Sequence, residues 1–164
     1  MCIRDSIEDA IIRYLEYMGI KLDDLLEVRI AIEMLNVEWA ILRGGARLAE
    51  LSDVVAHEQD DGVPQRRFDL HRTINELSGN RASKLLSNVH TKLLARFTAQ
   101  PVEEADYSDE ERAAFGAKMH QEHEEVVSAM LAGDVGLSRH RLRRHLEHVG
   151  EALSALDSES SESD

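Results

Sequence analysis

Cysteine is almost absent. Cys2 stands alone, which excludes an intramolecular disulfide and any zinc site built on thiolates. Proline is confined to Pro64 and Pro101, and the alternation of β-branched residues that marks strands is missing. No apolar run reaches the roughly 18 residues of a membrane-spanning helix, and no basic-then-apolar leader opens the chain. Basic residues are scarce, 19 against 32 acidic ones, for a formal net charge of −13. A nucleic-acid binder neutralises phosphates with a Lys and Arg surplus, so that footprint is lacking. These absences leave a soluble, cytoplasmic-type, acidic domain.

The chain has 164 residues, 43% of them hydrophobic. That length suits one domain with a short appendage, and the apolar share is too high for general disorder. Apolar residues recur at intervals of three and four, the helical period, so the expected fold is all-α, an antiparallel bundle of six to seven helices. Residues 1–20 read as an N-terminal remnant. Met1 to Ser6 fit no periodic pattern and look like a translated adapter scar, so the gene is expected to begin upstream. Ile7 to Met18 reads as a short helix with Ile7, Ile11, Leu15 and Met18 on one face.

Residues 21–156 form the main helical domain. A long apolar helix runs from Leu22 to Arg43 and ends at Gly44-Gly45; a shorter one covers Ala46 to Glu58. Gln59 to Pro64 is a loop by turn chemistry. Gln65 to Ser78 is helical, with Gly79 after its end. Asn80 caps a helix reaching Thr98, and Pro101 to Tyr107 is a loop. Ser108 and Glu111 form a capping box for a helix to Leu131, and Asp134 caps a last helix to Leu156. Residues 157–164, Ser and acid only, are expected to be a disordered tail.

Three histidines fall on apolar stripes. His71 lies among Phe68, Leu70, Ile74 and Leu77; His123 follows Met119 and precedes Val126, Val127 and Met130; His145 sits with Leu142, Val149, Ala152 and Leu156. A buried imidazole needs partners for both nitrogens. Each either hydrogen-bonds a core neighbour or shares a metal, with an outer acceptor on the second nitrogen. His57, His90, His120, His140 and His148 read as surface or rim residues. On the long helix Arg29, Glu33, Asn36 and Arg43 fall within about an 80° arc. That arc is either a solvated edge with an Arg29–Glu33 pair or the lining of a polar pocket in which Arg29 clamps an anion. The cluster Arg139, His140, Arg141, Arg143 and Arg144 reads as the wet face opposite His145, bridging to acidic neighbours.

Taken in order, Leu26-Glu27-Val28-Arg29 with Glu33, Leu70-His71-Arg72, Leu77-Ser78-Gly79-Asn80, Glu122-His123, Gly133-Asp134 and Arg143-Arg144-His145-Leu146 resemble the motifs of the FadR C-terminal (FCD) domain. This is the ligand-sensing domain of the FadR subfamily of GntR-type transcriptional regulators. The resemblance spans residues 21 to 156. It implies a helical bundle that dimerises and binds a small carboxylate metabolite. It implies a divalent metal on His71, His123 and His145, for which zinc, nickel or manganese suits imidazole; Arg29, Arg67 and Asn80 are the candidate effector contacts. The family's aspartate, four residues before the first histidine, is replaced here by Arg67, and the aromatic before that histidine by Leu70. The family's winged helix-turn-helix has no counterpart in the sequence, so DNA is expected to be engaged only through a reading head upstream.

Three functions follow as expectations. The first is effector sensing by a dimeric regulator. The second is a metal-dependent helical hydrolase, which would need a general base; Glu122 and Glu124 neighbour His123 but project away from its face. The third is a helical interaction domain without a small ligand.

Overall fold

Helix boundaries follow capping chemistry. Helix α6 (Asp109–Leu131) opens on Ser108, whose hydroxyl accepts from the Glu111 amide at 3.2 Å while the Glu111 carboxylate accepts from the Ser108 amide at 2.9 Å. Asn80 caps α5 (Arg81–Glu104), its Oδ1 accepting from the amides of Ala82 and Ser83 at 3.0 and 3.1 Å. Asp134 does the same for α7 (Val135–Ser161) through the Leu137 amide at 2.8 Å. Between α6 and α7 the chain reverses at Gly133. Its φ of 72° lets the Gly133 amide bond the Met130 carbonyl and the Asp134 amide the Ala129 carbonyl, the paired bonds that close a helix C-terminus.

The structure, a computed structural model, describes residues 3–59, 69–104 and 107–161, with backbone alone at 3–5, 59, 99–104 and 156–161. Its remaining elements are α1 (Ile3–Tyr17), α2 (Leu22–Gly44), α3 (Glu50–Ala56) and α4 (Asp69–Ser78), with 3-10 turns at Gly45–Ala49 and His57–Gln59 flanking α3. Among the described residues there are seven α-helices and no strand, the all-α bundle expected.

Helix α2 is central and packs against α4, α5 and α7. The main core joins Met34, Val37 and Ala40 of α2 to Leu51 and Val55 of α3, Ile74 of α4, Met130 of α6 and Leu142 of α7. Each such Leu, Ile or Met contributes about 1.5–3 kcal/mol by leaving water. A smaller core holds α1 on α5 through Ile12, Leu25, Val89 and Leu93.

Several boundaries depart from the sequence reading. Helix α1 begins at Ile3 rather than Ile7. It turns Ile12 inward and leaves Ile7 and Met18 exposed, because buried Glu8 is drawn to α5 by Asn88 Nδ2 at 3.1 Å and Lys92 Nζ at 2.9 Å. Helix α5 passes Pro101 to end at Glu104; a proline forfeits one amide bond, and the helix stops within a turn of it. Helix α7 continues to Ser161 where a coil tail was expected from 157, since no Gly or Pro interrupts it after Gly150. The expected loop at 60–64, the start of the Gln65 helix and the tail end at 162–164 lie outside the described residues.

Candidate functional site

His71 comes from α4, His123 from α6 and His145 from α7, and the three meet inside the bundle with one ligand atom each within 4.8 Å of the others. All three are buried. The imidazole centroids lie 4.5 Å apart for His123–His145, 5.3 Å for His71–His123 and 5.4 Å for His71–His145. The closest nitrogens are the two Nε2 atoms of His123 and His145, at 3.1 Å.

The other nitrogen of each ring faces a carboxylate. His71 Nδ1 lies 2.7 Å from Glu33 Oε2, His123 Nδ1 2.9 Å from both oxygens of Glu58, and His145 Nδ1 3.0 Å from Glu122 Oε2. A carboxylate accepts, so each Nδ1 carries a proton, and in the tautomer that this partner selects the Nε2 lone pair turns inward. Two lone pairs 3.1 Å apart repel unless a proton or cation lies between them. This donor set fits a divalent metal: imidazole ligands whose second nitrogen is held by a carboxylate are the usual arrangement around zinc. Nitrogens about 3.1 Å apart subtend roughly 100° at an ion bonded at about 2.0–2.1 Å.

Burial pushes His71 and His145 below the ordinary imidazole value of 6.5, and for His145 the neighbouring His71, His123 and Arg29 push the same way. Both are therefore neutral at pH 7. Burial alone would raise Glu33, but His71 and Arg29 beside it overcome that and hold it at about 2. Arg29 Nε donates to Glu33 Oε1 at 3.2 Å. The α2 arc is thus no solvated edge. Arg29, Glu33 and Asn36 are buried, because this face of α2 meets α4 and α5. Asn36 is bonded to Ser83 and, at 3.5 Å, to Ser87 of α5. Only Arg43 at the end of the arc is exposed, bonding the Ser78 carbonyl at 2.9 Å. Asn75, one turn after His71, buries an Oδ1 without a hydrogen-bond partner.

Three residues in and around this centre escaped the sequence reading. Glu58 follows His57 in a 3-10 turn with no periodic signal. Glu122 does reach a histidine: it projects away from His123 but crosses to α7, meeting His145 at 3.0 Å and His148 at 3.1 Å. His90 is buried rather than at the rim, its Nε2 donating to the Leu25 carbonyl. Its place beside Val89, Leu93 and Leu94 carried that signal. His120 and His148 are half-buried, and His57 and His140 exposed. Asn80 stands at the head of α5 as its cap, while Arg67 lies outside the described residues. The basic cluster on α7 bridges outward, Arg139 to Glu38 at 3.0 Å and Arg141 to the Glu125 carbonyl at 2.6 Å.

The family model described as the FCD domain matches residues 24–148. No curated protein matches the chain.

Proposed function

The chain belongs to the FCD domain family, the effector-binding domains of GntR-family regulators, and from that premise we propose that it senses a small carboxylate in the cytoplasm through a divalent metal, as a homodimer. One observation carries the metal: three imidazoles converge with Nδ1 held by Glu33, Glu58 and Glu122, leaving Nε2 for an ion. His71, His123 and His145 would hold zinc, nickel or manganese, all suited to imidazole. When bound, the ion supplies a positive anchor for a carboxylate oxygen. Arg29, buried beside the Glu33 that holds His71, would add a second cationic contact for the acid. Arg67 and the amide nitrogen of Asn80 would complete the effector contacts. Binding regulates by favouring one arrangement of the helices over another.

FCD domains are regulatory rather than catalytic. The chemistry supports this reading, because Glu33, Glu58 and Glu122, the carboxylates that face the three histidines, are spent orienting imidazoles rather than free to activate water.

The test is native mass spectrometry of protein purified without chelator. One divalent ion per chain is expected, lost in His145→Ala, together with a retained small acid. Absence of any ion, and of affinity for zinc, nickel and manganese in titration, would overturn the metal and leave an organic anion site.

A further inference from the structure

The outer face of α2 carries Val28, Leu35 and Leu42, which are 51%, 47% and 67% exposed. They are seven residues apart, a spacing that drifts only about 20° per step around a helix. The three therefore form one apolar lane about 21 Å long at 1.5 Å per residue. Ala31 is exposed within the lane, and half-buried Ile32 and Trp39 border it. The other faces of α2 pack against α4, α5 and α7. A lane of large side chains left open on the most enclosed helix of the bundle is the mark of an interface.

The charge at its ends selects the occupant. Asp23, Asp24 and Glu27 are exposed at the N-terminal end of α2 beside Lys21, a net negative end. Arg43 and Arg47 are exposed at or just beyond its C-terminal end, where Glu50 pairs with Arg47 at 2.7 Å and Arg43 leaves the end net positive. A parallel copy would set acids against acids. An antiparallel copy sets the acidic end against the basic end at both extremities, and a two-fold interface uses the same patch on both chains. We propose that two copies of this chain pair α2 against α2 antiparallel, with Leu35 at the two-fold axis and Val28 of one copy against Leu42 of the other. This rests on the homodimer reading for the partner, and the experiment separates the two.

Sedimentation velocity at tens of micromolar is expected to give a dimer for the wild type and a monomer for Leu35→Glu, with unchanged helical circular dichroism. If Leu35→Glu fails to fold, Leu42→Glu carries the same test at a more exposed position. Orientation is read by oxidation in a Cys2→Ser background. Leu35→Cys is expected to cross-link. Val28→Cys and Leu42→Cys alone are expected not to, since their equivalents stand about 21 Å apart, whereas an equimolar mixture of the two is. A wild-type dimer that survives Leu35→Glu and Leu42→Glu overturns the surface and leaves the homodimer standing. A wild-type monomer overturns both. Cross-linking of Val28→Cys with itself overturns the antiparallel arrangement.

Discussion

The Nε2 atoms of His123 and His145 stand 3.1 Å apart while the Nδ1 atom of each is committed to a carboxylate. Those carboxylates fix ring orientation and make the inner nitrogens more basic. Losing such a partner lowers metal affinity by about 10–100-fold. Glu58→Ala and Glu122→Ala are each expected to weaken zinc binding by that much in a competition titration. Unchanged affinity in both would reduce the carboxylates to satisfied polar groups.

Acidification should destabilise the metal-free protein in two stages. His71, His90 and His145 are all held below 6.5 by burial, so the unfolded chain takes up protons there that the folded chain refuses. Stability then falls as pH drops below about 6.5, by up to about 1.4 kcal/mol per pH unit for each imidazole. Glu33 acts with the same sign lower down. Held at about 2 against an ordinary 4.5, it contributes fully above about 4.5 and loses that contribution as pH falls toward 2. Urea midpoints at pH 7.5, 6 and 5, taken with chelator, should decline, and His145→Asn should flatten the decline above pH 5. A flat wild-type profile would mean the folded imidazoles are protonated.

The three histidines were legible because each lay on an apolar stripe, and burial of a stripe fixes where its odd residue points. Glu58 was not, since a 3-10 turn has no repeating face to read. Glu122 was misread because a helical wheel locates Cβ, whereas a glutamate spans the gap to the next helix. Val28, Leu35 and Leu42 gave α2 an apolar surplus visible in the sequence, but only packing reveals which stripe stays outside. Capping residues predicted helix starts well, as with Asn80, Ser108 and Asp134. Helix ends without glycine were less readable, as the passage of α5 beyond Pro101 shows.

Arg29 and Glu33 form a buried pair that also holds His71. Glu33→Ala leaves a buried guanidinium without its anion and should destabilise by about 3–5 kcal/mol. The double replacement Arg29→Met with Glu33→Leu should be milder, because no charge is stranded. Arg29→Met alone is expected to keep the metal and lose carboxylate affinity. Denaturant midpoints and calorimetric titration with a small hydroxy acid read the two effects apart. Carboxylate affinity undiminished in Arg29→Met would remove Arg29 from the effector contacts.

Asn80 uses its Oδ1 as a helix cap, and the proposed effector contact falls to its Nδ2. Asn80→Asp retains the cap but replaces that donor with a negative charge. It should hold stability within a few tenths of a kcal/mol and weaken carboxylate binding. Asn80→Ala should lose about 1 kcal/mol through the cap. If Asn80→Asp binds the acid as the wild type does, the residue is a cap and nothing more.

Arg67 stands four residues before His71, where related metal-binding domains carry aspartate, and Arg67→Asp reverses the charge there. A charge about 5–6 Å from the ion, the range of neighbouring side chains, is the case expected. At an effective dielectric of about 20, one unit charge at that range is worth about 3 kcal/mol. Arg67→Asp changes the charge by two units and adds an oxygen ligand, so zinc affinity should rise at least tenfold. Carboxylate affinity should fall in the same variant, because a position for the acid is filled and a cation removed. Opposite shifts in the two titrations would place residue 67 at the metal. If both affinities stay at their wild-type values, Arg67 points away from His71, and the cationic half of the effector site rests on Arg29 alone.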